Sequence, residues 1–194
     1  MTAVVAIVGR PNVGKSTLFN KLIGKRRAIE SEVSGTTRDR IYSSKRVQGY
    51  DIMFVDTGGL ESETENELIE SNVQEQSKIA IEGADVIVFV VDVRADMTAD
   101  DFHVAELLRK SKKHVILVAN KCDNPSLEEN RYNFYELGFG DPVPVTAIHS
   151  YGIDELEDRV IAELKALKIP ESEEIEDEAD RIKITFLDFF ENNK

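Results

Sequence analysis

The stretch "GRPNVGKS", Gly9 to Ser16, constrains this chain more than any other, because it stands between the apolar run "AVVAIV" and the helical pattern "KSTLFNKLIG". A strand, a loop of the form G-x-x-x-x-G-K-[ST] and a helix, in that order, make a phosphate-binding loop. Gly9 and Gly14 let the backbone wrap closely enough for consecutive N–H groups to point inward, and the helix adds its positive N-terminal end. Lys15 is placed to neutralise β and γ phosphates. Ser16 offers a hydroxyl to Mg²⁺, a hard cation that takes oxygen ligands.

The rest of the chain is patterned to match. "AVVAIV", "IYSSKRV", "DIMFVD", "DVIVFVVD", "HVILVAN" and "PVPVTA" read as strands, most of them continuously apolar as buried parallel strands are. Between them lie the helical patterns "KSTLFNKLIG", a segment from about Glu65 to Glu82, "DDFHVAELLRK", "SLEENRYNFYELG" and "IDELEDRVIAELKAL". Leu156, Val160, Ile161, Leu164 and Leu167 recur at three- and four-residue steps, which gives the last helix an apolar stripe. The alternation predicts an α/β fold, an open, mostly parallel sheet with helices on both faces. A length of 194 residues allows one good core and something appended.

Charge and cysteine content exclude several classes. A net charge of −13 opposes free binding to nucleic acid or to an anionic membrane, so weak or no RNA binding is expected from this chain alone. The cluster Lys25, Arg26 and Arg27 reads as a solvated helix end. One cysteine excludes an internal disulfide, and "AVVAIV" lacks a basic leader and is too short to span a bilayer. A cytoplasmic, monomeric protein is the expectation. His103, His114 and His149 are scattered, and Cys122 has no partner at metal-ligand spacing, so no zinc site is expected.

The phosphate loop alone leaves ATPases, nucleotide kinases and GTPases open. "NKCD", Asn120 to Asp123, follows an apolar strand and therefore falls at the carboxyl end of the sheet, where ligands sit in open α/β folds. A carboxylate there can accept from N1–H and the N2 amino group of guanine, whereas adenine has an acceptor at N1 and no such amino group. Asp123 therefore selects guanine. The Lys121 stem can cover the base, Asn120 can tie this loop to the phosphate loop, and a backbone N–H near Ala147 in "VTAIHS" can meet O6.

"GRPNVGKS", "GTTRD" (Gly35 to Asp39), "DTGG" (Asp56 to Gly59), "NKCD" and "TAI" fall in the order of the five GTPase motifs. The chain resembles the translation-factor-related GTPases of the Era, MnmE and Der group, and most closely the first G domain of the Der (EngA) double GTPases, over about residues 1 to 168. The resemblance implies a GTP-hydrolysing switch acting in assembly of the large ribosomal subunit. The alternative is a non-catalytic GTP/GDP-binding module of a multidomain GTPase; a metabolic kinase is disfavoured by "NKCD" and the switch threonine. It further implies that Thr37 reaches Mg²⁺ and the γ-phosphate, and that Asp56 holds the metal through water. The nucleotide contacts implied are Gly9, Arg10, Pro11, Asn12, Val13, Gly14, Lys15, Ser16 and Thr17; Asp56, Thr57, Gly58, Gly59 and Leu60; Asn120, Lys121, Cys122 and Asp123; and Thr146, Ala147 and Ile148. Ser34 departs from the proline common before the switch glycine. Arg38 and Asp39 read as a partner contact, a switch anchor or a solvated pair.

Leu60 stands where many GTPases carry a water-positioning glutamine. Phosphoryl transfer depends mainly on positioning and on cations near the developing charge, so one lost amide lowers the rate without removing the site. In the group this chain resembles, a hydrophobic residue is usual there and a potassium ion on the first asparagine of the phosphate loop compensates. Asn12 holds that place. Lys15, Thr37, Gly59 and Asn12 are thus the expected catalytic set, with Mg²⁺ on Ser16, Thr37 and Asp56 and K⁺ on Asn12.

Composition shifts at Pro170. The G domain is expected over 1–169, an acidic solvated linker over 170–181 and a strand-like tail, "IKITFLDFFENNK", over 182–194. In Der proteins such a linker leads to a second G domain, but Asp188 and Phe189 stand where the glycine and arginine of its phosphate loop would come.

Overall fold

β-Branched residues dominate the apolar runs, and each run forms a strand. The computed structural model describes residues 1–24, 41–57 and 78–172. They form β1 (Ala3–Val8), α1 (Lys15–Ile23), β2 (Ile41–Val47), β3 (Tyr50–Asp56), α2 (described over 78–83), β4 (Val86–Asp92), α3 (Ala99–Ser111), β5 (His114–Asn120), α4 (Pro125–Glu129), β6 (Val143–Pro144) and α5 (Ile153–Ala166). The strands make one six-stranded sheet in the order β2-β3-β1-β4-β5-β6. Every pairing is parallel except that of β2 with β3, which are joined by the tight turn at Gln48–Gly49.

Each face of the sheet has its own core, because side chains alternate along a strand. Val5 and Ile7 of β1 pack with Leu18 and Leu22 of α1 and with Leu156, Val160 and Leu164 of α5. Val4, Ala6 and Val8 belong to the opposite cluster, with Ala105 and Leu108 of α3. The apolar stripe of α5 is therefore core, and the helices lie on both faces as the βα alternation predicts.

The pattern "SLEENRYNFYELG" resolves into two pieces, where the sequence led us to expect one helix. α4 starts at the Asn124 cap, whose side chain accepts from Leu127 N, and gives way to a 3-10 helix over Asn130–Leu137. Three residues per turn put Phe134 and Leu137 on one face, and both are buried there.

β1 and β4 are neighbours, while the chain continues from β1 toward β3 on one side and from β4 toward β5 on the other. The crevice at the carboxyl ends of β1 and β4 is the topological switch point, the place where open α/β sheets bind ligands. The phosphate loop occupies it. Among the described residues no helix is long and apolar enough to cross a membrane.

The described residues run on to Ser172, the third residue of the acid-rich segment. Ser172 is 8% exposed; its hydroxyl accepts from Asp51 N and donates to Met1 O, both at 2.9 Å, and its N–H donates to Gly49 O at 2.9 Å. Arg46 adds a bond to the Ser172 carbonyl, also at 2.9 Å. Replacing Ser172 with alanine removes one buried and one part-buried hydrogen bond and is expected to destabilise the domain by about 1–3 kcal/mol, seen as a lower urea midpoint at unchanged slope. An unchanged midpoint would mean that this anchor contributes nothing. The remainder of the linker expected over 170–181 and the tail over 182–194 lie outside the described residues.

Candidate functional site: a nucleotide crevice

The phosphate loop leaves β1 against the end of β4. A Cβ on Gly9 would lie 2.4 Å from Val90 O, so only glycine lets the chain turn there. Gly14 opens α1 with φ 98°, and a Cβ on it would lie 2.4 Å from Asn120 Nδ2. The first turn of α1 holds no acidic residue and its cap makes no side-chain hydrogen bond, whereas α3 and α5 both carry acids in their first turns. The positive end of α1 is thus left for an anion. Lys15 is 4% exposed, and its ammonium donates to Gly9 O at 2.7 Å and Arg10 O at 2.8 Å. Those carbonyls hold the charge inside the curve of the loop.

A single asparagine joins three loops. Asn120, 2% exposed at the end of β5, donates from Nδ2 to Val13 O at 2.9 Å and accepts at Oδ1 from Ala147 N at 3.3 Å. The Ala147 N–H expected to face a base oxygen is therefore engaged by Asn120. Lys121 has φ 70° and reaches across to Asn12 O at 2.7 Å and to Asp92 Oδ2 at 2.6 Å. Its stem so bridges "NKCD" and the phosphate loop. Asp123 accepts from Thr146 Oγ1 at 3.2 Å and is ion-paired with Arg94.

Sequence reasoning missed Arg94 and Asp92. Asp92 accepts from Arg94 N at 3.0 Å, which seats Arg94 beside Asp123. The signal was the run "DVRAD" at the carboxyl end of a buried strand, the position that singled out "NKCD".

Not every nucleotide-contacting residue expected from the motifs turns its side chain inward. Thr57 is 1% exposed, with its hydroxyl bonded to Ile7 O at 2.8 Å, so it pins β3 to β1. Val13 is core. Cys122 is buried with Sγ on Ala119 O at 3.2 Å, and burial pushes its thiol up to about 11, which leaves it neutral and unreactive. Arg10 turns to Asp101 at 3.2 Å. Pro11, Asn12, Ser16 and Thr17 are exposed on the phosphate loop and first turn of α1, and Ile148 is 64% exposed. Asp56 is fully buried at the end of β3, in register with Ile7 of β1. Thr37, Gly58, Gly59 and Leu60 lie outside the described residues, as do Lys25 to Arg27, Ser34, Arg38 and Asp39. The donors described for a metal, one hydroxyl and one carboxylate, are hard oxygens and fit Mg²⁺ with water and phosphate completing its shell.

The family described as 50S ribosome-binding GTPase matches this chain over residues 4–121. The chain belongs to that family. Within it, the chain is 49% identical to GTPase Der of Clostridium perfringens over 179 residues, which are 92% of this chain and 40% of that protein. GTPase Der of Clostridium kluyveri is 47% identical over 184 residues, 95% of this chain and 41% of that protein. The chain thus spans about 40% of the length of the curated relatives it matches. Among solved structures, Aquifex aeolicus Era bound to GDP and aluminium fluoride superposes with a TM-score of 0.71 at 31% identity, covering 89% of this chain and 59% of that one. Era in complex with MgGDPNP and a segment of 16S ribosomal RNA gives 0.69 at 31% identity, covering 91% and 60%. The mostly parallel six-stranded sheet with its helices thus matches the fold of these GTPase structures.

Proposed function

We propose that this chain is a cytoplasmic GTP-binding and GTP-hydrolysing switch, with the phosphates on residues 9–17 and guanine on Asp123, acting in assembly of the large ribosomal subunit. The observation that carries the reading is Asn120, which clamps the phosphate loop, "NKCD" and the Ala147 loop together. The ribosomal role is taken from the matched family, whose description is 50S ribosome-binding GTPase, and from the resemblance to Der.

Lys15 and the N–H groups of the loop and of α1 hold the β and γ phosphates and meet the charge that develops on them. Ser16, Thr37 and Asp56 would hold Mg²⁺, which when bound neutralises phosphate charge. The Asn12 side-chain oxygen is proposed to hold K⁺, which would add positive charge near the phosphates in compensation for Leu60. Single-turnover hydrolysis is then expected to run about tenfold or more faster in KCl than in NaCl. Equal rates in the two salts would remove that role from Asn12.

Leu60 favours a second reading, a GTP/GDP-binding module that does not turn over. Steady phosphate release from the isolated chain with Mg²⁺ and K⁺ decides between them, because a pure clamp binds without turnover.

A further inference from the structure

Arg10 is the second residue of the phosphate loop, and its guanidinium turns away from the loop. Its Nε lies 3.2 Å from Asp101 Oδ2, in the first turn of α3. Asp101 is 1% exposed, and the same oxygen accepts from Thr98 N at 3.0 Å and Thr98 Oγ1 at 2.9 Å, which completes the capping box of α3. A helix cap needs no ion pair, and an exposed one serves as well. A carboxylate buried this deeply is generally paired with a cation, and the cation here comes from the phosphate loop.

The pairing fixes more than a side chain. Pro11 follows Arg10 and confines the Arg10 backbone to extended geometry, so anchoring the side chain also orients the carbonyl. That carbonyl is one of the two that hold the Lys15 ammonium, at 2.8 Å. A continuous path runs from α3 through Asp101 and Arg10 to Lys15.

We propose that Asp101 is a positioning residue for nucleotide binding and that Arg10 is its tether, with Arg10 serving the phosphates through its backbone and its guanidinium serving Asp101. The proposal rests on the nucleotide reading above and adds that α3 sets the geometry of the phosphate loop.

GDP affinity and thermal midpoint, measured on the full chain and four variants, test it. Asp101→Asn keeps a capping oxygen and removes the charge; with Arg10→Ala, it is expected to weaken GDP binding by about tenfold, and the double variant by no more than either single one. Thr98→Ala breaks the cap and leaves Asp101 facing Arg10, so it lowers the thermal midpoint and moves GDP affinity by less than about twofold. If Asp101→Asn binds GDP as well as or better than the parent while Arg10→Ala binds worse, Arg10 is itself a phosphate ligand and the proposal falls. It falls too if Thr98→Ala weakens binding as much as Asp101→Asn, since the effect then belongs to the cap. A parent chain that binds no GDP would instead overturn the nucleotide reading.

Discussion

Asp123→Asn is expected to weaken GDP binding by roughly two to three orders of magnitude and to create a site for xanthosine diphosphate in its place. Guanine presents two donors on one edge, N1–H and the N2 amino group, and an ionised carboxylate accepts from both. Each such bond to a charged group is worth about 1.5–3 kcal/mol, and an unmatched donor forced against an amide adds its own desolvation cost. Asparagine offers one acceptor and one donor, which suit the N1–H and O2 of xanthine.

Arg94 is ion-paired with the Asp123 carboxylate, so Arg94 and the base share its oxygens. Its side chain is 50% exposed, so the pair is worth at most about 1 kcal/mol, less than two base contacts provide. Competition titrations with GDP, xanthosine diphosphate and ADP provide the check. A variant that still prefers GDP would show that Asp123 does not read the base.

The fold was legible because its strands are buried on both faces and therefore spell themselves out as apolar runs. β1, β3 and β4 are buried at every position. The shape of the phosphate loop was legible where backbone geometry dictates residue type, at Gly9 and Gly14, with the Lys15 ammonium held inside its curve. The site was less legible where a side chain's partner lies far along the chain. Arg10 stands next to Gly9 in sequence, yet Asp101 is 91 residues away, and nothing in "GRPNVGKS" says that the arginine faces α3. The side chains of Thr57 and Cys122 were illegible for a related reason: both sit inside a motif, but the Thr57 hydroxyl bonds Ile7 O and the turn after β5 folds Cys122 back onto Ala119 O. The start of the acidic segment hides its anchor similarly, since composition records the charges around Ser172 and not the β2–β3 turn above it.

Gly14→Ala is the second large effect, expected to lower GDP affinity by about two orders of magnitude while the sheet stays folded. Two costs coincide at this position. The backbone stands at φ 98°, where an L side chain is strained by roughly 1–2 kcal/mol. The new methyl would also meet Asn120 Nδ2 at 2.4 Å, so either the loop or the asparagine must shift. A displaced Asn120 releases Val13 O and Ala147 N together, and the clamp that sets the span of the crevice opens. Gly138→Ala separates the two costs, because Gly138 has φ 79° and open space around it. That variant is expected to lose about 1 kcal/mol of stability with GDP affinity unchanged. Urea midpoints and GDP titrations on both variants distinguish the terms: equal midpoint losses with affinity lost only in Gly14→Ala assign binding to the Asn120 clamp, and a Gly14→Ala chain that binds GDP normally would show that the clamp does not set the site.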